Sequence, residues 1–320
     1  MKEKIKNRLI FFLKYAVGLA LLGWAAWRFD FTQIVDTIGS ISITALLASL
    51  FLSVLSLTLQ FRRWRYLIGR HSADYEEKDL LPAFFAGCAL RLLIPGGHAE
   101  ITKIFLLPGR KRGKAAAFVL EKYFETYLKF MLILIALPLI LIEYRTILWG
   151  IAAIGIILYF FLPRLLRISL IKKYQEKDIN YRQIFFHTLL FSLAVFITLV
   201  LQYFVLLNDS ETISFSESLL GVIFVWGAGL LPISISGLGV RENLAAHFFG
   251  LFSISAETAV AMAFFVFLTN ILTPALIGAF FIYRKRKTLK RAGREIRYTT
   301  KKIYRRYKSK SKTPPFLKGD

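Results

Sequence analysis

The residues best placed to do chemistry are charges and glycines set inside apolar runs. LLPISISGLGVRE, Leu230 to Glu242, packs Pro232, Gly237, Gly239, Arg241 and Glu242 into a stretch otherwise apolar enough to cross a bilayer. LRLLIPGGHAEITK, Leu90 to Lys103, has the same ingredients in nearly the same order: paired leucines, Pro95, Gly96 and Gly97, then Glu100 and Lys103, with Arg91 four residues ahead of the proline. Open backbone and charge are costly in hydrocarbon unless protein shields them or they line a cavity. Two such breaks in one chain suggest two halves of a site. A third set lies in VLEKYFETYLKF, where Glu121 and Glu125 share a helix face and Lys122, Glu125 and Lys129 fall at the three and four spacings of helical ion pairs.

The chemistry that suits these residues is recognition of a phosphate. Gly96 and Gly97 permit a sharp turn and close backbone approach. A return helix opened by Glu100 would present free amides beside Arg91 and Lys103. A helix starting after Gly239 would likewise aim its positive end into the membrane, and Arg241 supplies a planar fork for phosphate oxygens. A purely structural account also stands: Arg241 could pair with Glu242 or Glu100, and the charges of the Glu121 helix could neutralise one another or protrude into solvent. His98 and Glu100 without a third ligand are weak evidence for a metal. No cofactor is expected. The single cysteine, Cys88, excludes an internal disulfide and a Cys-rich zinc site. The absence of a G-x-S-x-G elbow, a Walker loop and an H-E-x-x-H helix removes support for an ATP-driven pump or a membrane zincin.

The elements that must position these residues are membrane helices. The chain is 56% hydrophobic, so its formal net charge of +23 must sit mostly in loops and tail. That charge matches an anionic membrane surface, and a mostly buried chain offers little for nucleic acid. Spans are expected over about Leu9–Phe29, too long for a signal-peptide core, and Ile41–Phe61. The connection after the second carries Arg62, Arg63, Arg65 and Arg70 and is placed in the cytoplasm with the amino terminus. Residues 79 to 107 are broken at Pro95 and followed by Arg110, Lys111, Arg112 and Lys114, so they begin and end inside, as a re-entrant hairpin. A long helix from about Ala115 to Ile142 leads out, Ile147–Leu162 returns to a basic loop, and Ile184–Leu207 leads out again. Residues 219 to 253 form the second broken stretch, either a hairpin from the outer face or two short spans. The last span, Ala256–Tyr283, ends in a basic cytoplasmic tail.

The expected fold is therefore an all-α polytopic membrane protein: six full spans plus two broken, re-entrant helical hairpins, or eight spans. The membrane domain covers residues 1–283 and the tail 284–320. The order span, span, hairpin, span occurs twice with opposite starting sides, the pattern of an inverted-topology repeat. The alternative is a plain eight-span bundle whose glycines and prolines serve packing.

LLIPGGHAEITK, VLEKYFE and LLPISISGLGVRENL, in that order, resemble the transmembrane flippase-like domain of the lysylphosphatidylglycerol synthase family over most of residues 10 to 283. The second glycine motif with its Arg-Glu is the most specific match. The resemblance implies that Pro95, Glu100, Glu121, Pro232, Gly237, Gly239, Arg241 and Glu242 occupy motif positions. Where the family's first motif reads closer to P-G-R-x-G-E with a later arginine, this chain has Gly97, Ala99 and Lys103; where the family has E-R-x-x-D, it has Glu121, Lys122 and Glu125. The soluble synthetase domain of two-part members has no counterpart in these residues.

From these residues and this resemblance we expect a translocator or binder of a phosphate-bearing lipid, such as an aminoacylated phospholipid or a polyprenyl-phosphate-linked lipid. Its contacts would be drawn from Arg91, Pro95, Glu100, Lys103, Glu121, Glu125, Gly237, Gly239, Arg241 and Glu242. The setting is the cytoplasmic membrane of a bacterium or archaeon, with a partner synthetase or self-association left open. Two rivals are the membrane part of a lipid-modifying transferase, with Glu100, Glu121 or Glu242 as bases, and an accessory subunit of an envelope-lipid machine. An enzyme is the less expected outcome.

Overall fold

The computed structural model describes residues 31–93, 98–165, 179–230 and 237–284. Ten α-helices lie among them, with no strand. They are α1 (Phe31–Gly39), α2 (Ile43–His71), α3 (Glu77–Leu93), α4 (Arg112–Ile140), α5 (Arg145–Leu165), α6 (Tyr181–Ser210), α7 (Phe215–Gly227), α8 (Val240–Gly250), α9 (Ala256–Phe267) and α10 (Thr273–Arg284). A 3₁₀ helix, His98–Leu106, follows α3, another, Ala228–Leu230, follows α7, and a π-helical turn, Leu268–Leu272, joins α9 to α10. Five continuous helical stretches are long and apolar enough to cross a membrane: Ile43–His71, Arg112–Ile140, Ile142–Phe161, Tyr181–Ser210 and Ala256–Arg284. They match five of the six expected spans. The sixth, Leu9–Phe29, lies outside the described residues, as do Pro95, Pro232 and residues 285–320 of the tail.

The frame is the antiparallel pair α2 and α6. Each is about 45 Å long at 1.5 Å per residue, more than a bilayer's hydrocarbon needs. Between apolar helices in lipid, close approach and hydrogen bonds replace the hydrophobic effect as the source of association. Along α2 the seam is Ser49, Ser53 and Ser56, spaced four and three apart and all buried. From one end to the other, Ser42 caps against Asp209, Gln202 donates to Ser53 Oγ at 2.8 Å, and Arg63 donates to Ser192 Oγ at 3.0 Å. The opposite face carries exposed Leu47, Leu50, Phe51 and Val54, and most of α5 is likewise exposed and apolar. Such a belt is solvated by acyl chains and would aggregate in water.

Helix α2 runs ten residues past the expected end at Phe61. Arg62, Arg63, Arg65 and Arg70 therefore sit on helix, not in a connection. The counting of arginines as loop charge fails most plainly at Arg63. It is only 4% exposed because the helical period turns it onto the same seam as the serines. Arg65 points the other way and pairs with Glu77 at an exposed position. The stretch between the first two expected spans also differs from a plain loop, since α1 forms there.

Two helical hairpins lean on this frame. Helix α3 runs in and the 3₁₀ segment runs back alongside it, so that a Cβ on Gly87 would stand 2.9 Å from Lys103 Cδ. The base is closed by Lys114 Nζ, which donates to the carbonyls of Asp74 at 2.6 Å, Pro108, and Arg110 at 3.1 Å. Gly109, with φ 78°, lies against Asp74 at the same point. The chain thus returns to the end from which it left. The second hairpin, α7 and α8, repeats this with other chemistry: Glu211 accepts from Ser255 N at 3.0 Å and from Ser255 Oγ at 2.5 Å. These contacts bring together the residues that flank 77–106 and those that flank 215–250. The first hairpin also packs against α10 so closely that a Cβ on Gly278 would overlap the Phe85 carbonyl.

Candidate functional site

Helix α4 carries the site because it touches both hairpins. Its midpoint is near Glu125, about 20 Å from either end. Glu121, Lys122, Glu125 and Lys129 fall on it at one-, three- and four-residue steps, a stripe about 12 Å long. One end of the stripe meets the first hairpin. Lys103 Nζ lies 2.8 Å from Glu100 and 2.6 Å from Glu121, and Lys122 lies 2.6 Å from the second oxygen of Glu100. Lys122 and Lys129 then hold Glu125 from both sides, at 3.0 and 2.9 Å. Arg63 reaches Glu121 from α2 at 3.9 Å. Arg91, on the last turn of α3, acts electrostatically on Glu100, Glu125 and Glu121.

The far end of the stripe meets the second hairpin. Lys129 Nζ stands 4.9 Å from the Trp226 ring centroid, and a Cβ on Gly229 would lie 3.0 Å from that nitrogen. Gly229 belongs to the 3₁₀ turn after α7, whose Ala228 borders Gly237. Gly237 and Gly239 have φ of 82° and 80°, a region where an L side chain is strained. Gly237 also leaves room for the Arg241 guanidinium, 3.2 Å from where a Cβ would be, and that guanidinium sits 5.6 Å from the Phe267 ring. One run of charged side chains on α4 therefore links the 3₁₀ limb of the first hairpin, at Glu100 and Lys103, to the end of α7, at Trp226 and Gly229.

The members of this cluster differ in access, and that divides their roles. Lys103 is fully enclosed, doubly paired, and set 4.1 Å from the Trp64 ring centroid. Charges so placed are a lock: losing one partner strands another in a medium that cannot solvate it. The Lys122 side chain is 30% exposed and Glu125 19%, against 4% for Glu121 and 9% for Lys129. The open side is the Lys122 side.

Two features differ from the expected geometry. The return limb after the first break is a 3₁₀ helix rather than an α-helix, and Glu100, in its first turn, is spent on Lys103 and Lys122. At the second break Glu242 turns back to accept from Gly239 N at 2.6 Å, so the amino end of α8 is capped by the chain's own carboxylate. Its other oxygen and the hydroxyl of Tyr203 are buried without a hydrogen-bond partner among the described residues. Of the expected contact residues, Arg91, Glu100, Lys103, Glu121 and Glu125 come together, and Gly237, Gly239, Arg241 and Glu242 form the neighbouring tip; Pro95 lies outside the described residues. Arg63, Lys122 and Lys129 complete the cluster. For Arg63 the available signal was the 3–4 spacing Ser49, Ser53, Ser56, Gln60, Arg63, which puts it on the serine seam.

The Arg63 contact has a counterpart at a constant sequence offset. Arg63 donates to Ser192, and 139 residues further on Gln202 donates to Ser53, itself 139 residues before Ser192. Glu100 and Lys103 pair three apart, and Gly239 and Glu242, again 139 residues on, bond three apart.

The family model described as the lysylphosphatidylglycerol synthase TM region matches residues 11–278, more than four-fifths of the chain. No curated protein matches.

Proposed function

The chain belongs to the lysylphosphatidylglycerol synthase TM region family, a multi-pass membrane protein, and from that premise we propose that it moves a phosphate-bearing lipid between leaflets. The headgroup would be taken at the Lys122 side of the cluster while its chains stay in the hydrocarbon. The single observation that carries this is a buried ion network that opens on one side. Lys103, Glu100 and Glu121 are enclosed, while Lys122, which reaches Glu100 and Glu125, keeps 30% of its side chain exposed. Charge set within membrane helices is costly and marks a pathway more often than a scaffold.

The hairpins supply the route. Each is clasped at its own base, Asp74 with Lys114 and Glu211 with Ser255, which supports re-entry from opposite faces and an inverted repeat with both termini cytoplasmic. Broken helices meeting near mid-membrane let a charged group pass between aqueous sides without meeting bare lipid. Lys103 and Arg63 position the carboxylates, while Lys122 and Arg91 meet the phosphate. Arg241, beside the second tip, receives it on the other side. Proteoliposomes should exchange a labelled anionic phospholipid faster than protein-free vesicles, and Lys122→Gln should slow that exchange by about tenfold. Exchange equal to that of protein-free vesicles would overturn the proposal.

A further inference from the structure

The last span touches the two hairpins with different halves. Its α9 half lies on the second hairpin, where Ala259, Met262 and Ala263 share a core with Ala245 and Phe249, and where the Phe267 ring lies 5.6 Å from the Arg241 guanidinium. Its α10 half lies on the first, with Gly278 against the Phe85 carbonyl and the Phe281 ring 6.2 Å from that of Phe85. Between them runs the π-helical turn Leu268–Leu272, in which the Leu268 carbonyl accepts from the backbone N–H of Thr273 and, at 2.8 Å, from its hydroxyl. Such a turn interrupts the regular ladder and is one of the few places where a helix kinks sharply.

Gln202 of α6, only 1% exposed, packs on this turn. Its amide nitrogen lies 2.8 Å from Ser53 Oγ, 3.0 and 3.3 Å from Ser49 Oγ and O, and 3.2 Å from Thr269 Oγ1. An amide nitrogen carries two hydrogens, so four oxygens share two full bonds. The serines belong to α2 and Thr269 to the turn. The Gln202 oxygen accepts from Asn270 Nδ2 at 2.6 Å, while Asn270 Oδ1 is buried without a hydrogen-bond partner among the described residues. Hydrocarbon supplies no water as a substitute partner, so this cluster can change only by trading bonds within itself. A hydrogen moved from Thr269 to Ser49 leaves the number of bonds unchanged, and the Thr269 hydroxyl keeps its own bond to the Phe265 carbonyl at 3.2 Å. We propose that the turn is a hinge, at which the last span bends while the Gln202 amide exchanges Thr269 for Ser49. Because α10 lies on the first hairpin and α9 on the second, the bend alters the space between the hairpins. The hinge is a property of the chain itself and goes beyond the lipid-handling function proposed above.

Spin labels at Leu251→Cys and Phe280→Cys, both exposed positions, on a Cys88→Ala background of the full-length protein test it by pulsed electron–electron resonance in bilayer nanodiscs. A kink of about 20° acting from Thr273 to Phe280, about 10 Å of helix, displaces the α10 label by about 4 Å. Two distance populations about that far apart are expected with the native Thr269. Thr269→Val, which keeps the shape and removes the hydroxyl, should empty one of them, and Thr269→Ser should retain both. A single population with the native Thr269, or two that Thr269→Val leaves in place, would overturn the hinge. The distribution with the native Thr269 decides the matter even where the valine variant fails to fold. Lipid exchange does not enter this readout, so a negative result leaves the lipid-handling reading standing.

Discussion

Replacing Lys103 by alanine should damage the fold before it damages ligand binding. Its ammonium is fully enclosed and bonded to Glu100 and Glu121 at 2.8 and 2.6 Å. It also lies over the Trp64 ring at 4.1 Å, a desolvated cation–π contact of about 2 kcal/mol. Removing one member of a buried ion network typically costs about 3–5 kcal/mol. Here Glu100 keeps Lys122 at 2.6 Å and Glu121 keeps Arg63 at 3.9 Å, so the lower end, about 3 kcal/mol, is expected. For a chain of this size that lowers Tm by roughly 5–10 °C. Size exclusion after stepwise heating in detergent measures it. Glu121→Gln on the Lys103→Met background should cost less than the sum of the two single changes, because each removes what the other strands. A Tm within about 2 °C of wild type for Lys103→Ala, or strict additivity in the cycle, would refute the lock.

Other expectations follow from the same contacts. Gly278→Ala places a methyl inside the Phe85 carbonyl and should force α10 off α3 at a cost of about 3 kcal/mol or more, read as loss of a monodisperse peak. Gly237→Ala should cost about 1–2 kcal/mol for its φ of 82°, whereas Gly150→Ala, with nothing within 4 Å, should be neutral or stabilising. At Glu211 burial pushes the carboxyl up, but the hydrogen bonds from Ser255 and Thr258 outweigh it and hold the group below its ordinary 4.5. A carboxyl lowered in the folded state stabilises fully above its unfolded value and loses that contribution as pH falls through the folded one. Wild type should therefore lose its margin over Glu211→Gln below about pH 4.5, and a margin unchanged at pH 3 would contradict the clasp.

Helices and breaks were legible where the pattern is local. Five spans fall where apolar length put them, and the last, Ala256–Arg284, is within a residue of expectation. The Glu121 stripe was readable because three and four steps on a helix have one geometry. What was not legible depends on tertiary placement. Arg63 counts as loop charge in a scheme that treats arginines alike; the serine spacing marks its helix face, but not its partners, Ser192 on α6 and Glu121 on α4. The first return limb is 3₁₀ rather than α, and its Lys103 packs onto Gly87, a contact no propensity encodes. The π-helical turn at Leu268–Leu272 was likewise silent in the sequence; Asn270 on it donates to Gln202 at 2.6 Å. Loop charges put both ends of residues 79–107 on one side and left 219–253 as a hairpin or two short spans; the contacts that flank these stretches, Lys114 with the Asp74 carbonyl and Glu211 with Ser255, were not readable.

The central claim is that a lipid phosphate is held against Lys122 between the two hairpins. Solid-state NMR of the protein in bilayers, with ¹⁵N-labelled lysine side chains and the ³¹P of the lipid headgroups, tests it most directly. A ³¹P-dephased ammonium signal should appear in wild type and vanish in Lys122→Gln, while the enclosed Lys103 ammonium stays undephased. A wild-type spectrum in which no ammonium is dephased, or one whose dephased signal survives the loss of Lys122, would contradict the account.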